Sequence, residues 1–140
     1  MPGIARVLVI ANRTADSDEL LAALLERQAQ GSISVTLVAP ARWEVTNPHG
    51  GKGAALRRLR TATDRLGNAG IETKSIVGDP DPFRAVADIW NPERFDEVIV
   101  STLPERLSRW LRLDLPRHVE RLTGRQVHHV VAHERALARA

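Results

Sequence analysis

The chain has no cysteine and no tyrosine, and no run of apolar residues reaches the ~18 positions that a membrane span needs. Without cysteine, the chain cannot form disulfides, thiolate metal sites or a cysteine nucleophile. The first residues, from Met1 to Arg6, lack the basic flank, apolar stretch and small-residue cleavage site of a signal peptide. We therefore expect a cytoplasmic protein without a membrane segment.

Aromatic residues are also scarce, with three tryptophans and two phenylalanines among 140 residues. The net charge is +3, and Lys52 and Lys74 are the only lysines among 20 basic residues. The arginines are spread along the chain and interleaved with 17 acidic residues. A nucleic-acid interface would need clustered positive charge and aromatic side chains for base stacking. We therefore do not expect a nucleic-acid partner.

Five short stretches rich in apolar and β-branched residues alternate with segments in which apolar residues recur at the spacing of a helix. Such near-continuous apolar stretches are typical of strands that helices cover on both faces. The alternation predicts a three-layer α/β fold, a doubly wound five-stranded parallel sheet with helices on both faces, in one domain over residues 1–140. The predicted strands are Ile4–Ala11, Ser32–Ala39, Ile71–Val77, Glu97–Thr102 and Val127–Ala132.

Polar and turn-forming residues predict where the helices begin. Asp16 followed by Glu19 has the spacing of a capping box, and Asp79 followed by Pro80 predicts a cap and a proline in the first turn. Pro40–Lys52 is rich in turn formers and predicts a loop. Its end, His49–Gly53, invites comparison with a phosphate-binding loop, but the required spacing and the directly preceding strand are missing.

In parallel sheets of this type, ligands bind at the carboxyl ends of the strands, where the strand order reverses. The chain segments that follow the predicted strands therefore hold the candidate binding residues. Our candidate ligand-binding residues are Asn12, Thr14, Ala39, Gly78, Asp79, Ser101, Thr102 and Arg106.

Three passages resemble the universal stress protein family. They are Val7–Asn12, Gly78–Pro80, and Asp96–Thr102 running into Leu107–Leu111, and with their spacing they cover nearly the whole chain. The resemblance implies the fold already predicted from the alternation of strands and helices. It also implies a place to look for nucleotide-binding residues.

Members of that family that bind ATP carry a Gly-x-x-Gly pair after the fourth strand and a Gly-Ser or Gly-Thr pair further on. The matching positions here are Ser101, Pro104, Asp114 and Leu115, so every glycine is replaced. Proline has no N–H to offer a phosphate, and a carboxylate repels one. The acidic residue that often ends the first strand is here Asn12. We therefore expect no ordinary ATP binding and no cofactor, although Asn12 and Ser101 remain able to hold another small ligand.

A basic and an apolar series follow the fourth predicted strand. Either the arginines form a solvated helical face, or Arg106 helps to bind an anion in place of the missing glycine-rich loop. The apolar side chains are expected to pack over the end of the sheet and narrow the pocket that phosphates occupy in relatives. The series are Arg106, Arg109 and Arg112, continued by Arg117, Arg121 and Arg125, and Leu107, Trp110, Leu111 and Leu113.

Five histidines do not make a metal site in this sequence. His128 and His129 are adjacent in a predicted strand, so their side chains point to opposite faces. The chain also shows no catalytic combination of a nucleophile with a base, and no pair of carboxylates in an acid/base setting. We therefore expect no metal site, and a catalytic function is the less favoured alternative.

Two hypotheses of function follow from these patterns. The preferred one is a non-catalytic universal-stress-like module in stress response or regulation, a homodimer paired through Val127–Ala132, because an edge strand leaves backbone groups unpaired. The alternative is a binder of a nucleotide or another small anionic ligand at the carboxyl ends of the strands. An unfamiliar enzyme on the same scaffold is a third and weaker possibility.

Overall fold

The computed structural model describes residues 3–41 and 51–134, the first two of the second range by backbone alone. Strands and helices alternate throughout, and none of the helices in these ranges combines the length and apolarity needed to cross a bilayer. The elements are β1 Ala5–Ile10, α1 Asp18–Ala29, β2 Ile33–Pro40, α2 Gly51–Asn68, β3 Glu72–Gly78, α3 Pro82–Ile89, β4 Glu97–Thr102, α4 Arg109–Arg112, α5 Leu115–Thr123 and β5 Val127–Val131.

All five strands form one parallel sheet in the order β3-β2-β1-β4-β5. The chain moves outward from β1 to β3 on one side and from β4 to β5 on the other, so the order reverses between β1 and β4. This topology confirms the predicted doubly wound sheet. It also places the carboxyl ends of β1 and β4 side by side, where a ligand cleft is expected.

Helices cover both faces of the sheet, and each face has its own apolar core. Alternate residues of β1 point to opposite faces, so Val7 and Val9 enter one core while Leu8 and Ile10 enter the other. The first core is closed by α1 and α2, and the second by α3 and α5. Because the central strands contact helices on both sides, their sequences are almost wholly apolar.

Two helices begin slightly later than the sequence predicts. Ser17, not Asp16, caps α1, with its hydroxyl accepting a backbone N–H at 3.1 Å. Asp81, not Asp79, caps α3, and Pro82 occupies the first turn. In both places another polar residue capable of capping lies one or two positions away, and packing of the helix on the sheet selects the one used.

The helix α2 begins at Gly51, two residues before the predicted start. Gly51 and Lys52 therefore belong to the helix and not to the predicted loop Pro40–Lys52, while Gly53 was predicted as helical. Pro40 ends β2, and the remainder of the predicted loop, residues 42–50, lies outside the described residues.

Candidate functional site

A cleft of about 380 Å³ opens at the carboxyl edge of the sheet, where β1 and β4 lie side by side. One wall is the turn after β1, the floor is the end of β4, and the other wall is the segment that leads into α4. The lining residues are Asn12, Arg13, Thr14, Ser101, Thr102, Leu103, Leu107, Ser108, Arg109 and Trp110.

A buried pair of hydroxyls joins the first wall to the floor. Thr14 Oγ1 and Ser101 Oγ lie 2.7 Å apart, and these residues are 2% and 0% exposed. Two successive turns after β1, closed by N–H groups bonding to the carbonyls of Asn12 and Thr14, press the Thr14 side chain against the end of β4. Each hydroxyl is the other's partner, which satisfies both without water.

Asn12 lines the cleft, but both polar atoms of its amide are engaged within the protein. Its Nδ2 donates to the carbonyl of Pro40 at 2.7 Å, and its Oδ1 accepts from Arg58 Nη1 at 2.8 Å. Burial of Arg58 lowers the pKa of its guanidinium, with the charges of Glu134 and Asp16 acting in the opposite direction. Asn12 therefore ties the ends of β1 and β2 to α2.

On the other side of the floor, Thr102 Oγ1 lies 2.7 Å from His129 Nε2. Thr102 is 1% exposed, and His129 is half-buried on β5, where it pairs in register with Val100. Burial lowers the pKa of His129 below its ordinary value, and the adjacent His128 lowers it further. The imidazole therefore contacts Thr102, which lines the cleft, but His129 does not line the cleft itself.

The second wall depends on the start of α4. The Ser108 hydroxyl caps that helix by accepting the N–H of Leu111 at 3.2 Å, which brings Arg109 and Trp110 to the cleft. The prediction that the apolar series packs over the sheet end is wrong for two members, because Leu107 and Leu113 are 65% and 58% exposed. Leu107 instead contributes to the rim.

Among the described residues, two arginines and no carboxylate line the cleft. Arg13 approaches from the turn after β1 and Arg109 from α4, and neither forms an ion pair with any residue in the described ranges. Polar groups from Thr14, Ser101 and Thr102 lie on the floor between them. Positive charge beside hydrogen-bonding hydroxyls is the chemistry that recognises a small anion.

The structure brings together four of the eight predicted site residues and leaves four outside the cleft. Asn12, Thr14, Ser101 and Thr102 line it, as described above. The others do not line it, for reasons visible in their packing.

Ala39 is fully buried in the core. Gly78 packs so closely that an added Cβ would lie 3.0 Å from side-chain atoms of Ala85 and Val38. Asp79 accepts the backbone N–H of Asp81 through its carboxylate at 2.9 Å.

Arg106 lies in the turn before α4, and its carbonyl accepts a hydrogen bond from Arg112 Nη2 at 3.4 Å. Because α4 begins only at Arg109, Arg109 takes the position at the cleft that the sequence suggested for Arg106. The candidate residues omit Arg13, Ser108 and Arg109, which line the cleft, whereas Trp110 belongs to the apolar series that we expected to narrow the pocket. The available signal was the capping preference of Ser108, which marks the start of α4 and therefore the side chains that face the sheet.

Asp114, at one of the positions where ATP-binding relatives are expected to carry glycine, has a left-handed backbone with φ of 55°. It is the one non-glycine residue with positive φ in residues 3–41 and 51–134. Its carboxylate makes no capping bond to α5 and lies 3.7 Å from Arg117 Nε. The backbone keeps a conformation that favours glycine, while the side chain adds negative charge beside the start of α5.

Within the described ranges no three His, Asp or Glu side chains are grouped so that they could hold a metal ion. His128 is exposed and His129 half-buried, which agrees with their predicted opposite directions. His133 lies beyond β5, and its Nδ1 and backbone N lie 2.6 and 3.2 Å from Glu19 Oε2. This contact lowers the pKa of the Glu19 carboxyl, chiefly through the side-chain hydrogen bond.

Among solved structures, the chain is similar to a universal stress protein crystallised in complex with cAMP. The match covers 94% of this chain and 100% of that one, with a TM-score of 0.59 and 20% sequence identity. The chain has the fold of a universal stress protein. No protein-family model and no curated protein matches its sequence. The resemblance stated from the sequence is therefore confirmed in its architecture.

Proposed function

We propose that the chain is a non-catalytic universal-stress-type module for stress response or regulation, and that its cleft binds a small anionic ligand of the nucleoside monophosphate class. The observation that carries this proposal is the composition of the cleft at the β1/β4 reversal point. Arg13 and Arg109 line the cleft together with the buried hydroxyls of the floor, and no carboxylate belongs to the lining in the part of the chain that the structure describes. Leu103, Leu107 and Trp110 offer apolar surface for a base or another flat ring.

Size and charge favour a monophosphate over ATP. A cleft of about 380 Å³ is at the small end of the ~300–1,000 Å³ that ligand pockets span. At the positions expected to touch a triphosphate, Pro104 has no N–H to donate, and Asp114 places a carboxylate at the start of α5. The structurally similar universal stress protein was solved with cAMP, which carries one phosphate.

Isothermal titration calorimetry with AMP, cAMP, inorganic phosphate, Mg-ATP and uncharged adenosine tests this proposal. We expect AMP or cAMP to bind more tightly than Mg-ATP, and adenosine to bind weakly. Arg109→Gln should weaken binding about 10- to 100-fold, the equivalent of one charge-assisted hydrogen bond of ~1.5–3 kcal/mol. Arg121→Gln, which changes an exposed arginine of α5 outside the lining, is the matched control.

Two outcomes would count against this function. Tight Mg-ATP binding with weak AMP binding would contradict the argument from Pro104 and Asp114. Equal losses in Arg109→Gln and Arg121→Gln would show that general positive charge, and not the cleft, attracts the anion.

The same proposal includes a homodimer through the last strand, predicted from Val127–Ala132. Support comes from the position of β5 at one end of the sheet order, which leaves its outer edge without a neighbour among the described strands. Val131 on that strand is 48% exposed. Pairing with a second copy across a two-fold axis would satisfy the edge and cover this apolar side chain.

Light scattering coupled to gel filtration tests the dimer. Val131→Lys should shift the protein toward monomer, because two copies of the new charge would meet near the two-fold axis. Ile76→Lys on β3, the strand at the opposite edge with 41% exposure at this residue, is the control and should leave the mass unchanged. A monomeric parent protein at micromolar concentration would refute the dimer.

A further inference from the structure

The contact between Thr102 and His129 has no role in the proposed function so far. Thr102 lines the cleft, and its Oγ1 lies 2.7 Å from His129 Nε2. The imidazole approaches this hydroxyl from the neighbouring strand β5 and does not itself line the cleft. A titratable group is thus one hydrogen bond away from the ligand site.

The direction of that hydrogen bond depends on whether Nε2 of the imidazole carries a proton. When Nε2 carries no proton, it can only accept, so the Thr102 hydroxyl must donate to it and presents only lone pairs elsewhere. When His129 is protonated, Nε2 donates to Thr102 Oγ1, as it also does in the neutral tautomer that carries its proton on Nε2, and the hydroxyl hydrogen is free to point to another acceptor. An oxyanion in the cleft is such an acceptor, and of these two forms its negative charge favours the protonated imidazole.

We propose that His129 is a positioning residue that acts through Thr102, and that an oxyanion entering the cleft is bound together with one proton at the His129 imidazole. This inference rests on the proposed function, because it describes how the same cleft binds its anion. The proton comes from solvent and returns to it when the anion leaves, and no covalent bond is made or broken. The selected ligand class is an anion with an unprotonated oxygen directed at Thr102.

The surrounding charges agree with this coupling. On its own strand, His129 has His128 as its titratable neighbour, whose charge opposes protonation. On β4, Glu97 is at the far end of the strand and is held by Arg27 at 2.5 Å. On α5, Glu120 accepts the backbone N–H of Val127 at 2.9 Å, and no carboxylate in the described ranges pairs with His129.

Arg109 of α4 and Arg13 line the cleft and add positive charge near Thr102. Burial, and after it the charge of His128, lowers the pKa of His129, so the imidazole is neutral at neutral pH when no anion lies near it. A bound anion supplies the missing negative charge and raises that pKa. By linkage, affinity for the anion must then increase as pH falls through this interval.

The test is calorimetric titration of the whole chain with cAMP and with sulfate at pH 5.5, 6.5 and 7.5. Both probes keep a constant charge over this range, so a change in affinity reports the protein. We expect affinity about 5- to 10-fold higher at pH 5.5 than at pH 7.5, within the usual range of coupling between two sites. Repeating each titration in buffers of different ionisation enthalpy measures the proton taken up on binding.

Two variants distinguish the coupling of His129 to the anion through Thr102, called the relay below, from general effects of pH. His129→Gln keeps a hydrogen-bonding side chain but cannot titrate, and Thr102→Val removes the hydroxyl while leaving the imidazole. Both should bind with little pH dependence and without proton uptake. His118→Gln, on α5 against Phe83, changes a histidine outside the cleft and should retain the parent pH profile.

Each result has one interpretation. Anion binding that is equally tight at all three pH values, or a pH dependence that persists in His129→Gln, overturns the relay and leaves the anion site standing. A parent protein that binds neither probe at any of these pH values overturns the proposed function together with this inference. Folding of each variant is checked by its melting temperature, and Thr102→Val provides the second variant if His129→Gln does not fold.

Discussion

The buried hydroxyl pair at the floor of the cleft allows a quantitative prediction. Thr14→Val and Ser101→Ala each remove one hydroxyl with little change of shape, and the double variant removes both. The two oxygens lie 2.7 Å apart and belong to residues that are 2% and 0% exposed. Because so little of either residue is exposed, each oxygen relies on the other as its hydrogen-bond partner, although both residues line the cleft.

Each single change leaves one buried hydroxyl without its partner, so each should lower the free energy of unfolding by about 1–3 kcal/mol. The double variant leaves no orphan, because both polar groups are gone. It should be destabilised no more than the less stable single variant. The interaction energy of the cycle is then at least as large as the smaller of the two single losses, about 1–3 kcal/mol, which is within the ~0.5–3 kcal/mol found for residues in direct contact.

Urea unfolding of the four proteins, followed by circular dichroism, measures this cycle. Ser75→Ala on β3, where the serine is exposed, serves as the control and should change stability by less than about 0.5 kcal/mol. If the losses of the two single variants simply add in the double variant, the hydroxyls do not interact. If both single losses are below 0.5 kcal/mol, the pair is accessible to water, and the described burial of the floor is contradicted.

Three further predictions concern backbone and charge. Gly78→Ala should destabilise the protein by about 1–3 kcal/mol through overpacking against Ala85 and Val38. Gly67→Ala, in an open stretch of α2, is the control and should stabilise it by up to about 1 kcal/mol. Equal melting temperatures of the two variants would contradict the close packing around Gly78. Glu19→Gln should cost less than about 1 kcal/mol at pH 7, since the contact with His133 is exposed. The pKa of Glu19 is lower in the folded protein than its ordinary value of 4.5, so the stabilisation is complete above pH 4.5 and is lost as pH falls through the folded pKa. In urea unfolding at a series of pH values, the free energies of unfolding of parent and variant should therefore become equal only below the folded pKa. Asp114→Ala should be about 1 kcal/mol less stable than Asp114→Gly, because the backbone there is left-handed; equal melting temperatures would contradict this.

The fold was predictable because the central strands of a parallel sheet contact helices on both faces. That burial makes Val7–Ile10 and Val98–Val100 almost wholly apolar, and the predicted bounds of β4 agree with the structure. Helix starts were less predictable. Asp16 and Ser17 both favour the capping position, and only packing of Leu20 and Leu24 on the sheet decides between them.

The residues of the candidate site that follow from the end of a strand were predictable from the sequence. Those that depend on where α4 begins were not. Ser101 and Thr102 follow from the end of β4. Arg109, in contrast, reaches the cleft because Ser108 starts α4 three residues later than a continuous series from Arg106 would suggest. A shift of a few residues turns a helix by most of a turn, and the sequence spacing of arginines alone does not fix it.

The hydrogen bonds of the Asn12 amide show how one side-chain atom can give the end of a strand a structural role. An amide supplies a donor and an acceptor together, and here the donor satisfies the carbonyl at the end of β2 while the acceptor holds the guanidinium of Arg58. A carboxylate at this position would keep the arginine but would set two acceptors against each other at Pro40. The two strand tips would then separate, and the side chain would be free to turn outward. The nitrogen of this amide thus decides whether the side chain at the end of β1 holds β2 and α2 in place or is available to contact another molecule.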